Sequence, residues 1–148
     1  MRIYLDVCCL FRPFDEDRTQ DRICRESDAI SAIVRLCNEE GWKMLASEMI
    51  DFEMAGATNI RTAQRIGEFF PFTTERVMLT VDADSRAAFF QQNGVDVMDS
   101  YHLALAEAGK ADVFLTTDDR LLRKAKRLGL RCRTENPETW LEEVLRNG

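Results

Sequence analysis

At 148 residues, 45% of them hydrophobic and 31% charged, the chain has the length of one ordinary domain and enough apolar material for a core of its own, which excludes disordered and fibrous classes. Its formal net charge of −6 argues against a protein that holds nucleic acid by bulk electrostatics. Arg120, Arg123, Lys124, Lys126, Arg127, Arg131 and Arg133 nevertheless crowd one segment, which reads either as a solvated helix face or as a local strip for phosphate contact.

The N-terminus, MRIYLDVCCLFRPFDEDR, breaks its apolar stretch with Asp6 and then turns to charge. That fits neither a signal peptide nor a membrane span, so a cytoplasmic location is expected. Within it, Arg2 to Val7 predicts a first strand with Asp6 near its end. Gln20 to Glu40 carries Ile23, Ile30, Ile33, Val34 and Cys37 at helical spacing, and Gly41 ends that helix. Lys43 to Ala46 predicts a second strand, followed from Ser47 by a helix and from Thr58 or Asn59 by another that runs to Phe69 before Pro71. Val77 to Val81 (VMLTV) predicts a third strand, and Asp82 to Asn93 a helix closed by Gly94.

A helix opening at Asp99 (DSYHLALAEAG) stops at Gly109. Val113 to Thr116 predicts the fourth strand, Asp118 to Leu128 a helix, Leu130 to Arg133 a fifth strand, and Pro137 the start of a last helix with Trp140, Leu141 and Val144 facing inward. No repeat or linker interrupts the chain, so residues 1–148 read as a single domain. The five cysteines form no CxxC pair, and His102 is the sole histidine; reduced, mostly buried thiols are expected rather than a zinc site.

Strands alternating with helices predict a mostly parallel sheet covered on both faces, with the site outside the carboxyl ends of the strands. Asp6 lies at the exit of strand one and Asp118 directly after strand four, so both project from one edge. Right-handed crossovers bring the Glu53 segment and the helix opened by Asp99 to that edge. Each acid also has an ordinary role. Asp99 and Asp118 suit helix N-caps, each contributing about 1 kcal/mol, and Glu53 suits an exposed helical position. Together, however, carboxylates in one cleft resist joint ionisation unless a cation neutralises them, and an all-oxygen ligand set favours Mg²⁺ or Mn²⁺.

Taken in order, IYLDVCCL, SEMIDFEMAG, DVMDSYHLALAEAGKADVFLTTDDRLL and the closing NPETWL resemble the PIN-domain nucleases, which include the VapC-type ribonuclease toxins of toxin–antitoxin pairs. The resemblance implies a PIN-like three-layer α/β/α sandwich with a mostly parallel central sheet of about five strands. It implies a Mg²⁺- or Mn²⁺-dependent endoribonuclease acting on single-stranded or structured RNA, with Asp6, Glu53, Asp99 and Asp118 as catalytic and metal-holding residues. A homodimer and a small antitoxin partner follow from the same likeness. Glu48 competes with Glu53 but comes too soon after Ser47, and Asp119 is a lesser substitute for Asp118.

One departure stands out. Many members read aspartate–threonine–asparagine at the first strand, whereas Val7 and Cys8 follow Asp6 here, which removes polar groups that tune such sites. Arg12 and Lys124 are candidates for holding the RNA backbone, and Phe11 and Phe14 for base stacking, with core packing as their commoner role. His102 is expected to pack or hydrogen-bond rather than to catalyse. Two other readings stand beside this one: a phosphate-handling α/β domain, which would need an acid where Cys8 stands, and a PIN fold that binds without turnover.

Overall fold

The computed structural model describes residues 1–148 apart from the side chains of Thr73 and Thr74. Five strands, β1 (Arg2–Leu5), β2 (Lys43–Ser47), β3 (Phe72–Val77), β4 (Val113–Leu115) and β5 (Arg133–Glu135), form one sheet in the order β3-β2-β1-β4-β5. Every pairing is parallel. The helices that connect and cover it are α1 (Val7–Phe11), α2 (Asp21–Glu40), α3 (Glu48–Ala55), α4 (Ile60–Phe69), α5 (Val81–Gln92), α6 (Val97–Ala108), α7 (Asp119–Leu128) and α8 (Pro137–Asn147).

The three inner strands are short apolar runs because parallel strands covered on both faces have no side to give to water. Ile3, Tyr4 and Leu5 of β1, Met44 and Leu45 of β2, and Val113, Phe114 and Leu115 of β4 are all buried in one continuous core. From β1 the chain winds outward through β2 and β3, then returns to the other side of β1 as β4 and β5. The direction of winding therefore reverses between β1 and β4, and the crevice beyond their carboxyl ends is where such sheets hold ligands.

The two strands whose positions differ most from the sequence expectation are both edges. Strand β3 covers Phe72–Val77 rather than Val77–Val81. Met78, Leu79 and Val81 are exposed beyond its end, while Thr80 caps α5 through its side chain. Strand β5 covers Arg133–Glu135 rather than Leu130–Arg133. An edge strand is flanked on one side only and carries polar residues freely, so an apolar run is a poor guide to it. Two further limits differ. The first strand stops at Leu5, and the residues after Asp6 form the short helix α1. Helix α6 begins at Val97, two residues before Asp99, so Asp99 sits inside the first turn and Asp96 occupies the cap position.

Gly109 ends α6 as the sequence implies, but not through the left-handed conformation usual for such a glycine. Its φ is −79°, outside the left-handed region. A Cβ there would lie 2.6 Å from Val77 Cγ2 and 3.1 Å from Leu45 Cδ1, so its bareness lets the end of α6 press against the sheet. Gly41, by contrast, ends α2 at φ 70°, in the conformation expected of it. All five cysteines are free thiols, with Cys9 and Cys37 buried and Cys8, Cys24 and Cys132 half-buried. Among the described residues no helix is long and apolar enough to cross a membrane.

Candidate functional site

Strands β1 and β4 leave the sheet side by side, with Leu5 opposite Leu115 and the Asp6 N–H donating to the Leu115 carbonyl at 2.9 Å. Asp6 is the N-cap of α1. Its Oδ1 accepts the Val7 N–H at 2.8 Å, while its Oδ2 accepts the Thr116 hydroxyl at 2.7 Å and the Cys8 thiol at 3.3 Å. Thr116 Oγ1 in turn accepts the Asp118 N–H at 3.1 Å. This single buried hydroxyl thus ties the acid after β1 to the acid after β4, a role that sequence reasoning missed. The threonine two residues before Asp118 was the available signal.

The choice between Asp118 and Asp119 is made by Arg22 on α2. Its guanidinium grips both Asp119 oxygens at 2.8 Å, holds the Thr117 carbonyl at 3.1 Å, and is backed by the fully buried Glu26 at 3.2 Å. This pairing keeps the Asp119 carboxyl below its ordinary range. Asp118 instead caps α7, with Oδ1 accepting the Arg120 and Leu121 N–H groups, and lines a small cleft with Val95, Asp96, Asp99, Arg120, Leu121 and Lys124. The cleft encloses about 40 Å³, room for a few waters or a hydrated ion, whereas organic-ligand pockets begin near 300 Å³.

Electrostatics join Asp6, Asp99 and Asp118. Burial pushes the Asp6 carboxyl up to about 7. Asp99 is pushed up to about 6, first by burial and then by the negative charges of Asp6 and Asp118. Carboxylic acids that titrate near neutrality next to one another are poised for a cation to restore their charge. Among the described residues, though, no three histidine, cysteine, aspartate or glutamate side chains close on one point at metal-binding distance. The acids share a neighbourhood without forming a finished cage.

Glu53 stands apart from the cleft lining. On α3, six residues beyond the cap residue Ser47, it meets His102 of α6, with Oε1 2.5 Å from Nε2. Glu48 is committed elsewhere, accepting the Leu79 N–H at 2.6 Å. Of the two cations proposed for substrate, Lys124 lies at the cleft, where it also donates to the Gly94 carbonyl at 2.7 Å. Arg12 is turned to Glu26 at 3.3 Å and Asp15 at 3.5 Å, away from the residues that line the cleft. Phe14 packs edge-on against Phe69 under the Arg65 guanidinium, and Phe11 packs against the core.

Replacing Thr116 by valine keeps its shape but removes both the donor to Asp6 and the acceptor for the Asp118 N–H. Loss of two such bonds at buried groups is expected to cost about 2–3 kcal/mol of stability at pH 8, measured by denaturant unfolding. It should also raise the Asp6 pKa further, read by carboxyl chemical shifts on titration.

No family model matches the chain, and no curated protein matches it in sequence. Solved structures do match in shape. A chain of FitAcB from Neisseria gonorrhoeae superposes with a TM-score of 0.60 at 15% identity, covering 91% of this chain and 97% of that one. A chain of VapBC2 from Rickettsia felis, bound to a DNA fragment from their promoter, gives a TM-score of 0.59 at 13% identity, covering 92% of this chain and 98% of that one. The likeness runs along nearly the whole of each pair, and at these identities it establishes the fold: a PIN-like α/β sandwich around a five-stranded parallel sheet.

Proposed function

We propose that this chain is a Mg²⁺- or Mn²⁺-dependent endoribonuclease of the PIN type, and the toxin of a toxin–antitoxin pair. The observation that carries the reading is the pair of raised carboxyls at the crevice where the winding of the sheet reverses, Asp6 raised by its burial and Asp99 by burial and then by the charges of Asp6 and Asp118. Neighbours named FitAcB and VapBC2 support the coarser toxin–antitoxin assignment. A volume of about 40 Å³ suits an ion better than a small organic phosphate ester, which weakens the phosphate-handling alternative.

In this reading Asp6, Asp99 and Asp118 hold the ion, with Glu53 as the fourth acid. When bound, Mg²⁺ or Mn²⁺ supplies an acidified water and positive charge for the leaving oxygen of the phosphodiester. The chain's own contributions are defined by position. Thr116 fixes the Asp6 carboxylate, Arg22 holds the turn that presents Asp118, and Arg120 and Lys124 at the rim steady the RNA backbone. Homodimerisation, a small antitoxin partner and a cytoplasmic location belong to the same proposal. Ile60, Phe52 and Phe69, exposed on α3 and α4, offer apolar contact area for either protein partner.

The deciding experiment is cleavage of single-stranded RNA by the purified chain with Mn²⁺, abolished by EDTA, together with growth arrest on expression. Absence of cleavage under Mn²⁺ would discard the nuclease. One observation favours a second reading, a PIN fold that binds without turnover: the acids do not close on a single point. RNA binding without cleavage would select it.

The cations beside the cleft give a separate expectation. Arg120 and Arg123 are exposed and have no ion-pair partner among the described residues, unlike Lys126, which reaches Glu135 at 3.3 Å. Replacing both by alanine is expected to weaken RNA binding about tenfold in low salt and to flatten the dependence of log Kd on log salt by about 1–2. Filter binding at several salt concentrations checks this.

A further inference from the structure

Behind the cleft lies a line of buried polar groups with no counterpart in the reading above. The Ser47 Oγ accepts the Ile50 N–H at 3.1 Å and lies 2.8 Å from the Tyr4 hydroxyl. That hydroxyl is 2.6 Å from His102 Nδ1, and His102 Nε2 is 2.5 Å from Glu53 Oε1. Ser47, Tyr4 and His102 are all 0% exposed.

Their protons can be placed by counting. The ionised Glu53 carboxylate can only accept, so a neutral His102 gives it the Nε2 proton and takes the Tyr4 proton at Nδ1, which leaves the Tyr4 oxygen to accept from Ser47. Burial, reinforced by the charges of Asp6 and Glu53, keeps Tyr4 protonated, so its O–H points to Nδ1. A neutral imidazole that accepts at Nδ1 carries its proton on Nε2 and donates it to the Glu53 carboxylate. Every buried donor then has an acceptor, and the chain of bonds runs one way, from the N-terminus of α3 through β1 and α6 back to Glu53 on α3.

We propose that His102, oriented by Tyr4 and Ser47, is a positioning residue that aims the Glu53 carboxylate toward the acids of the site. Asp99 and His102 lie three residues apart on α6 and so share one side of that helix. One helix thereby presents a site acid and the group that orients another. The inference rests on the reading of Glu53 as a site acid. It explains why a histidine is sealed in the core next to a tyrosine, where an apolar pair would pack at lower desolvation cost.

The test uses the full-length chain and Mn²⁺ itself. His102→Leu is expected to weaken Mn²⁺ binding, followed by calorimetry, about 10–100-fold, as loss of a group that orients a ligand commonly does. His102→Gln places an amide N–H where Nε2–H stood and is expected to stay within about threefold of the parent, and Tyr4→Phe to fall between the two. For RNA, kcat should follow the same order with KM unchanged. In the metal-free parent, long-range ¹H–¹⁵N spectra should show His102 as the neutral Nε2–H tautomer.

An Nδ1–H tautomer, or Mn²⁺ binding by a folded His102→Leu equal to that of the parent, overturns the positioning role alone. So does a His102→Gln variant no better than His102→Leu. A parent that binds no Mn²⁺ overturns the site reading and this inference with it.

Discussion

Replacing Asp6 and Asp99 together by asparagine is expected to reduce Mn²⁺-dependent RNA cleavage by about a thousandfold or more, equivalent to ~4 kcal/mol of transition-state stabilisation. The same variant should remain folded. Asparagine caps helices as well as aspartate does, so the Val7 N–H keeps its acceptor at the start of α1, and the amide oxygen can still take the Thr116 hydroxyl. What disappears is charge. Two acids that burial raises toward neutrality, Asp99 helped by the charges of Asp6 and Asp118, become groups with no proton to release and little attraction for a cation. Cleavage rates with a fluorescent single-stranded RNA, alongside circular dichroism, separate this from unfolding. A double variant that cleaves as fast as the parent would show that the acids act only in folding.

The Asp6 and Asp99 carboxyls are expected to stabilise metal-free protein more at pH 5.5 than at pH 8, and Mn²⁺ should remove or invert that contribution. The sign follows from the elevated acids. Asp6 at about 7 and Asp99 at about 6 retain protons in the folded chain that the unfolded chain has released above about pH 4. Their contribution to stability is therefore fully present below the unfolded value and is lost as pH rises through 6 to 7. Asp119 beside Arg22 and Glu75 beside Arg2 are lowered instead; what they contribute is lost only as pH falls below about 4, outside this window. The Cys8 thiol, pushed down to about 5 by hydrogen bonds, Cys9 first, adds stability as pH rises and opposes the two acids.

With Asp99 partly open to solvent, the two elevated acids should together be worth roughly 1–3 kcal/mol, or about 3–10 °C of melting temperature between pH 5.5 and pH 8 for a chain of this size, read as the difference between the parent and its Asp6→Asn plus Asp99→Asn variant. A cation that binds the ionised acids stabilises the folded form by about 2.7 kcal/mol at a hundred times its Kd. Scanning calorimetry in EDTA and in Mn²⁺ at both pH values provides the measurement. A parent whose melting temperature changes between pH 5.5 and 8 just as the double variant's does would contradict the burial of these acids.

Much of the site could be located along the chain before any fold was known. Asp6 and Asp118 each follow an apolar strand, and such residues emerge at one edge once the strands are parallel. Asp99 was identified through its helix, though as a cap it does not form: the helix starts two residues earlier, and Asp99 faces the cleft from within the first turn. Glu53 was picked by its spacing from Ser47, which the structure shows to be the cap of α3. Its partner was not foreseen, because nothing local to residue 53 indicates that a histidine 49 positions later reaches it. Thr116, Arg22 and Glu26 were missed for the same reason. Their roles lie in hydrogen bonds that span 95 to 110 residues, or in a buried charge met by side chains from other elements.

The amino-acid order by itself determined the alternation of elements, the three inner strands and the places of Asp6 and Asp118 at strand ends, since each depends on local patterning and on burial that an apolar run announces. Tertiary structure alone decided which of two adjacent aspartates faces the cleft, where the polar edge strands lie, and how Tyr4 and His102 are joined to Glu53. Those outcomes depend on which side chains from distant segments arrive within about 3 Å of one another, the range over which hydrogen bonds act.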